Sequence, residues 1–81
     1  MILFGIKDKG LGFCEIFPAD NKYSAMRYFN DSVNSGRQTL LANHPEDFSL
    51  YSLGTFDQNT GEVTPKVEFI EEAITMKKEN K

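Results

Sequence analysis

The sequence predicts a single α+β domain over residues 1–81, a small antiparallel sheet of three to four strands with one main helix packed on it. Three observations support this prediction. Residues 2–7, 13–17 and 48–56 have the alternation typical of strands, residues 22–34 have helical spacing, and turn residues separate these segments. A chain of 81 residues can bury one modest core and no more.

The two short strands at the start of the chain are predicted to form a hairpin. A turn with two glycines and an aspartate joins them, and Pro18 is expected to end the second strand. On this register Cys14 and Ile16 are buried, while Phe13 and Phe17 point outward. Cys14 is the only cysteine, so we expect no intrachain disulfide and a reducing compartment.

One helix is predicted over Lys22 to Asn34, where Met26, Phe29 and Val33 form an apolar stripe. Asp20 or Asn21 is expected to cap its first turn, and Gly36 to end it. Residues 39–42 are expected to add a helical turn that carries Leu40 and Leu41 into the core.

The strand at residues 48–56 has apolar residues on both faces. Phe48, Leu50 and Phe56 alternate with Tyr51 and Leu53, which predicts an inner strand covered on both sides. Residues 57–61 have the composition of a hairpin turn, and Glu62 begins the returning strand. Beyond Pro65, the spacing of Val67, Ile70 and Ile74 favours a short C-terminal helix, with an extended segment as the alternative.

Charge is unevenly distributed along this chain, whose formal net charge is −3. Bases slightly outnumber acids up to Arg37, whereas residues 38–76 carry one base, Lys66, against seven acids. The basic tail, residues 77–81, is expected to be frayed. The asymmetry is consistent with an ordinary solvated surface, or with one face that meets an anion and another that repels it.

No motif predicts catalysis, a cofactor or a metal site. His44 is the only histidine and lies in a turn, and the calcium-like run at Asp57 has its glycine one position too early. Glu71 and Glu72 are adjacent, so they would point to different sides of a helix. No apolar run approaches the roughly 20 residues that cross a bilayer. We therefore expect a protein that is neither an enzyme nor membrane-embedded.

Several short motifs occur in a fixed order between residues 21 and 65. They are Ala25-Met26-Arg27-Tyr28-Phe29, Val33-Asn34, Pro45-Glu46-Asp47-Phe48-Ser49-Leu50-Tyr51, Leu53-Gly54-Thr55-Phe56-Asp57 and Thr60-Gly61. In this combination the chain resembles a small non-structural protein of the gokushovirus-like microviruses, bacteriophages with small single-stranded DNA genomes. Such proteins are described as DNA-binding or as acting between genome synthesis and packaging. The resemblance thus implies a DNA partner, possible contacts with phage replication or capsid proteins, and the host cytoplasm.

Two functions are consistent with these patterns. The first is non-specific binding of single-stranded DNA through the N-terminal half, which needs cations for phosphates and aromatic rings for bases. The candidate residues are Lys7, Lys9, Lys22, Arg27 and Arg37, with Phe13, Phe17 and Tyr28. Outward Phe13 and Phe17 equally suit a second core or a homodimer interface built on the first hairpin. The second function is binding of a phage or host protein through the acidic C-terminal half.

Overall fold

The structure, a computed structural model, describes residues 1–78. Its main element is an antiparallel sheet of four strands in the order β2-β1-β3-β4. The strands are β1 (Ile2–Asp8), β2 (Gly12–Ala19), β3 (Phe48–Phe56) and β4 (Val63–Glu72). The helical segments are α1 (Lys22–Val33), α2 (Leu40–Asn43), a 3-10 turn (Pro45–Asp47) and α3 (Ala73–Met76).

The predicted packing of one main helix on the sheet is wrong. Strand makes up 44% and helix 29% of the described residues, and these helical residues are divided among four segments. The main contacts of α1 are with β2, α2 and α3. The side chains packed in the core against the strands come from α3 as well as from α1. Several short segments therefore share the covering of the sheet.

The core lies between the sheet and these helical segments. Its largest fully buried side chains are Phe4 and Ile6 of β1, Phe29 and Val33 of α1, and Leu50 of β3. Ala25, Phe48 and Ala73 complete the buried cluster. The prediction that Phe29, Phe48 and Leu50 are among the most buried residues is confirmed. α1 begins after Asn21, whose side chain accepts a hydrogen bond from the Ser24 amide.

The register predicted for β2 is wrong. Ile6 pairs with Glu15 while Lys7 pairs with Phe13, so Cys14 is the extra residue of a bulge. Cys14 is exposed, as is Ile16. Desolvation where the thiol is partly buried raises the pKa of Cys14. The bulge also places Phe13 and Phe17 on opposite faces of the sheet, because alternation is interrupted between them.

Pro18 does not end β2, which continues to Ala19 with Pro18 paired to Leu3. β2 is an edge strand, where a residue without an amide hydrogen is tolerated. The helix preferred for the segment after Pro65 is also wrong over residues 67–72, which continue β4, so the extended alternative is confirmed there. Val67 and Ile74 are 63% and 50% exposed, so their helical spacing does not mark a buried stripe. Within residues 67–78, helix is confined to Ala73–Met76.

The second helical turn lies close to its predicted place. Thr39 caps α2 by accepting a hydrogen bond from the Ala42 amide at 3.1 Å. Ala42 is buried and Leu41 half-buried, but Leu40 is 65% exposed, so its predicted burial is wrong. At the predicted frayed tail, the Lys77 ammonium donates to the carbonyls of Val33 and Ala42. Residues 79–81 of that tail lie outside the described residues.

Candidate nucleic-acid interface

The two faces of the sheet differ in what covers them. Phe4, Ile6 and Leu50 point to the side where the buried residues of α1 and α3 pack. Side chains alternate along a strand and paired residues share a face, so Gly5, Lys7 and Tyr51 point the other way. We call this second surface the open face. Within residues 1–78 its members include Leu3, Lys7, Phe13, Ile16, Tyr51, Leu53 and Phe69.

Three aromatic rings form a row across the open face. Tyr51 of β3 lies between Phe13 of β2 and Phe69 of β4, with ring centroids 5.3 and 5.7 Å away. Both contacts are edge-to-face, at interplanar angles of 80° and 83°. The flanking rings remain accessible, Phe13 being 41% and Phe69 53% exposed. We call Phe13, Tyr51 and Phe69 the aromatic row.

Lys7 places a positive charge on the aromatic row. Its ammonium lies 5.8 Å from the Phe13 centroid and 5.7 Å from the Tyr51 centroid, within cation–π range of both rings. No acidic partner lies within salt-bridge distance of Lys7 among the described residues. A ligand on the row therefore meets a cation that contacts two rings and that forms no ion pair with a carboxylate of residues 1–78.

Lys9 is differently placed, at the end of β1. Its ammonium contacts the Glu72 carboxylate at 2.8 Å and donates to the Glu46 carbonyl at 3.1 Å. The hydrogen bond to Glu72 is the main cause of the raised pKa of Lys9. This ion pair ties the first hairpin to β4, so Lys9 is less available to a phosphate than Lys7.

Apart from Glu72, the carboxylates of β4 lie on the core side of the sheet, opposite to the open face. Glu68 pairs with Ser52 and Glu71 with Leu50, both of which share the face of the core. Glu72 pairs with Ser49, and its carboxylate forms an ion pair with the Lys9 ammonium. The acidic half of the sequence therefore adds little negative charge to the centre of the open face.

The remaining predicted site residues are scattered. Phe17 packs on Phe4 with centroids 5.9 Å apart, and Tyr28 of α1 lies 4.6 Å from Phe17 on that same helix-covered side. The Tyr28 hydroxyl donates to the Glu15 carboxylate, which raises the pKa of the phenol. Arg27 is exposed on α1 and Arg37 in the following loop. Lys22 lines a groove of about 440 Å³ between the start of α1 and the β3–β4 hairpin.

The structure thus joins Lys7 with Phe13 and separates both from Phe17, Tyr28 and Arg27. Sequence reasoning missed Gly5, Tyr51, Leu53 and Phe69. The sequence predicts that Tyr51 and Leu53 share one face of a strand, but the prediction that this face is covered is wrong, because the buried helical residues pack on the other face. The helix predicted over residues 67–76 gives no indication that Phe69 pairs with Tyr51.

No other cluster in the described residues has stronger binding geometry. His44, Glu46 and Asp47 lie close together but are all exposed, as acidic surface groups commonly are. Asp57 accepts hydrogen bonds from the amides of Asn59 and Thr60, as expected of a hairpin turn. Over residues 1–78, none of the helices has the length and apolar character needed to span a bilayer.

Comparison with known proteins assigns the chain to a protein family. Residues 1–76 match the family described as Phage ORF5 protein. A relative named Protein ORF5, from Chlamydia phage 1, is 33% identical over 64 residues, which cover 78% of this chain and 67% of the relative. No solved structure matches. These matches confirm the resemblance to small microvirus proteins. The chain belongs to the Phage ORF5 protein family.

Proposed function

We propose that this chain is a phage accessory protein that binds single-stranded DNA non-specifically through its open face. It performs no catalytic step and acts in the host cytoplasm, during genome replication or packaging. The observation that supports this proposal is the aromatic row of Phe13, Tyr51 and Phe69 with the Lys7 ammonium beside it. Exposed rings and an unneutralised cation on one sheet face are the two parts that single-strand binding requires.

The spacing of the rings favours a single strand over a duplex. Neighbouring centroids are 5.3 and 5.7 Å apart, wider than the roughly 3.4 Å per nucleotide of a stacked strand. Bases that stack on successive rings of the row must therefore unstack from one another. A duplex resists this change because its bases are paired and stacked. A strand that joins a base on Phe13 to a base on Phe69 passes Tyr51, whose ring the Lys7 ammonium contacts.

The charge of the open face favours nucleic acid over a second copy of the chain. A two-fold contact through the centre of this face would bring the Lys7 ammonium of each copy close to the other. Desolvating two like charges without partners is costly. A phosphate supplies the missing anion. The chain also resembles proteins of phages that have single-stranded DNA genomes, which supports DNA as the ligand.

The test is an anisotropy titration of labelled oligothymidine of about 20 nucleotides, longer than one site of this class. At about 50 mM salt, where phosphate contacts are strong, we expect saturable binding and much weaker binding to a duplex. Phe13→Ala with Phe69→Ala should weaken binding to the single strand by roughly 30-fold or more, because each of the two stacked bases contributes about 1–3 kcal/mol. Tyr23→Ala is the matched control, since Tyr23 is 77% exposed on α1.

Absence of any DNA affinity at that salt concentration would overturn the proposal. Recognition of a phage or host protein by the acidic C-terminal half would then be the function to pursue. An equal loss of affinity in the Tyr23→Ala control would show that the open face is not the binding surface.

A further inference from the structure

Gly5 lies directly beneath the aromatic row. A Cβ atom built on Gly5 would lie 2.9 Å from Cδ1 of Phe13 and 2.9 Å from Cδ1 of Leu53, closer than carbon atoms approach without displacement. β1 separates β2 from β3 in the sheet. The Phe13 ring therefore reaches Tyr51 by crossing the position where any other residue of β1 would place a side chain.

The backbone does not require glycine at this position. Gly12, Gly36, Gly54 and Gly61 have positive φ values, whereas Gly5 does not. Alanine at Gly5 would cause no backbone strain. What glycine provides here is space above β1.

We infer that Gly5 is a positioning residue for the nucleic-acid face, an inference that rests on the proposed function. By leaving β1 bare, Gly5 lets Phe13 join Tyr51 and Phe69 in a continuous row, so that a base on β2 and a base on β4 belong to one site. It also holds the Phe13 ring within reach of the Lys7 ammonium. A methyl group at Gly5 should push the ring off the row and divide the site.

The test compares Gly5→Ala with Phe13→Ala and with the double variant, in the same anisotropy titration of oligothymidine. We expect Gly5→Ala to weaken binding by roughly 5- to 150-fold, the range for one stacked base. In the Phe13→Ala background the same change should have almost no further effect, because the ring that it displaces is absent and Leu53, the other side chain 2.9 Å away, offers no ring for a base to stack on. Gly10→Ala is the control, since a Cβ there meets only Asp8 Oδ1 at an ordinary 3.5 Å.

A purely structural role for Gly5 predicts a different result. Gly5→Ala would then lower the melting temperature and weaken binding by the same factor with or without Phe13. Unchanged affinity in Gly5→Ala, or equal losses in both backgrounds, would overturn the inference while leaving DNA binding intact. Failure of the unmodified chain to bind oligothymidine would instead contradict the proposed function and this inference with it.

Discussion

Phe13 and Tyr51 lie on strands that are not neighbours in the sheet, yet their ring centroids are only 5.3 Å apart. The bulge at Cys14 turns Phe13 to the face of Lys7, and Gly5 leaves room for its ring above β1. Tyr51 then continues the row to Phe69. The candidate site thus depends on long-range strand pairing rather than on any short motif.

The core position of Phe48 gives the first prediction. Phe48 is 4% exposed, and Phe48→Ala should lower the free energy of unfolding by about 3–5 kcal/mol because it leaves a cavity. Urea denaturation measures this change. Phe69→Ala is the matched control and should cost clearly less, because Phe69 is 53% exposed and its removal leaves no buried cavity. Equal effects of the two substitutions would mean that the faces of β3 and β4 are assigned incorrectly.

The separation of Lys7 from Arg27 gives the second prediction. With one or two phosphates contacted, log affinity for single-stranded DNA should fall against log salt with a slope of about −0.7 to −1.4. Lys7→Gln should flatten that slope by roughly 0.7. Arg27→Gln removes the same charge from exposed α1 and should leave the slope unchanged. A steep slope that flattens with Arg27→Gln would place the phosphate path on the helices instead.

The hydrogen bond from Tyr28 to Glu15 gives a prediction for alkaline pH. It raises the folded-state pKa of Tyr28 above the ordinary value of about 10. Its stabilising contribution is therefore present below that ordinary value, and is lost as pH rises through the higher folded pKa. The urea midpoint of the unmodified chain should fall over this range. The fall should be smaller in Glu15→Gln and in Tyr28→Phe, and an identical fall in all three would contradict the assignment.

The homodimer expected from the first hairpin stays a prediction. Light scattering at micromolar concentration should give a mass near twice that of the chain. Leu11 is 85% exposed in the turn of the first hairpin, so Leu11→Lys should reduce the mass to that of a monomer. Glu62→Lys, in the β3–β4 hairpin loop, is a control that should not. A monomer mass independent of concentration in the unmodified chain would exclude this dimer.

Local sequence patterns predict some elements of this fold correctly and others incorrectly. β1, α1 and β3 were predictable because their apolar periodicity is local, and Phe29, Phe48 and Leu50 were correctly assigned to the core. β2 was not, because its bulge depends on pairing with β1 and leaves no mark in local periodicity. β4 was predictable only in part. Its start after the hairpin turn and the extended alternative beyond Pro65 agree with the structure, but the spacing of Val67, Ile70 and Ile74 favours a helix, which pairing with β3 overrides.

The candidate site was only half predictable for the same reason. Lys7 and Phe13 were identified as cation and ring, but their grouping with Phe17, Tyr28 and Arg27 assumed one continuous N-terminal surface. The sheet divides those residues between its two sides. The tertiary packing of the whole chain decides which face of the sheet the helices cover.

The most direct test of the account is a search for intermolecular nuclear Overhauser effects between the labelled protein and a short oligothymidine. The account predicts contacts from thymine protons to the ring protons of Phe13 and Phe69, with none to Tyr23 or Tyr28 on α1. Contacts confined to the α1 rings, or a complex without contacts to Phe13 and Phe69, would contradict the claim that the open face binds single-stranded DNA.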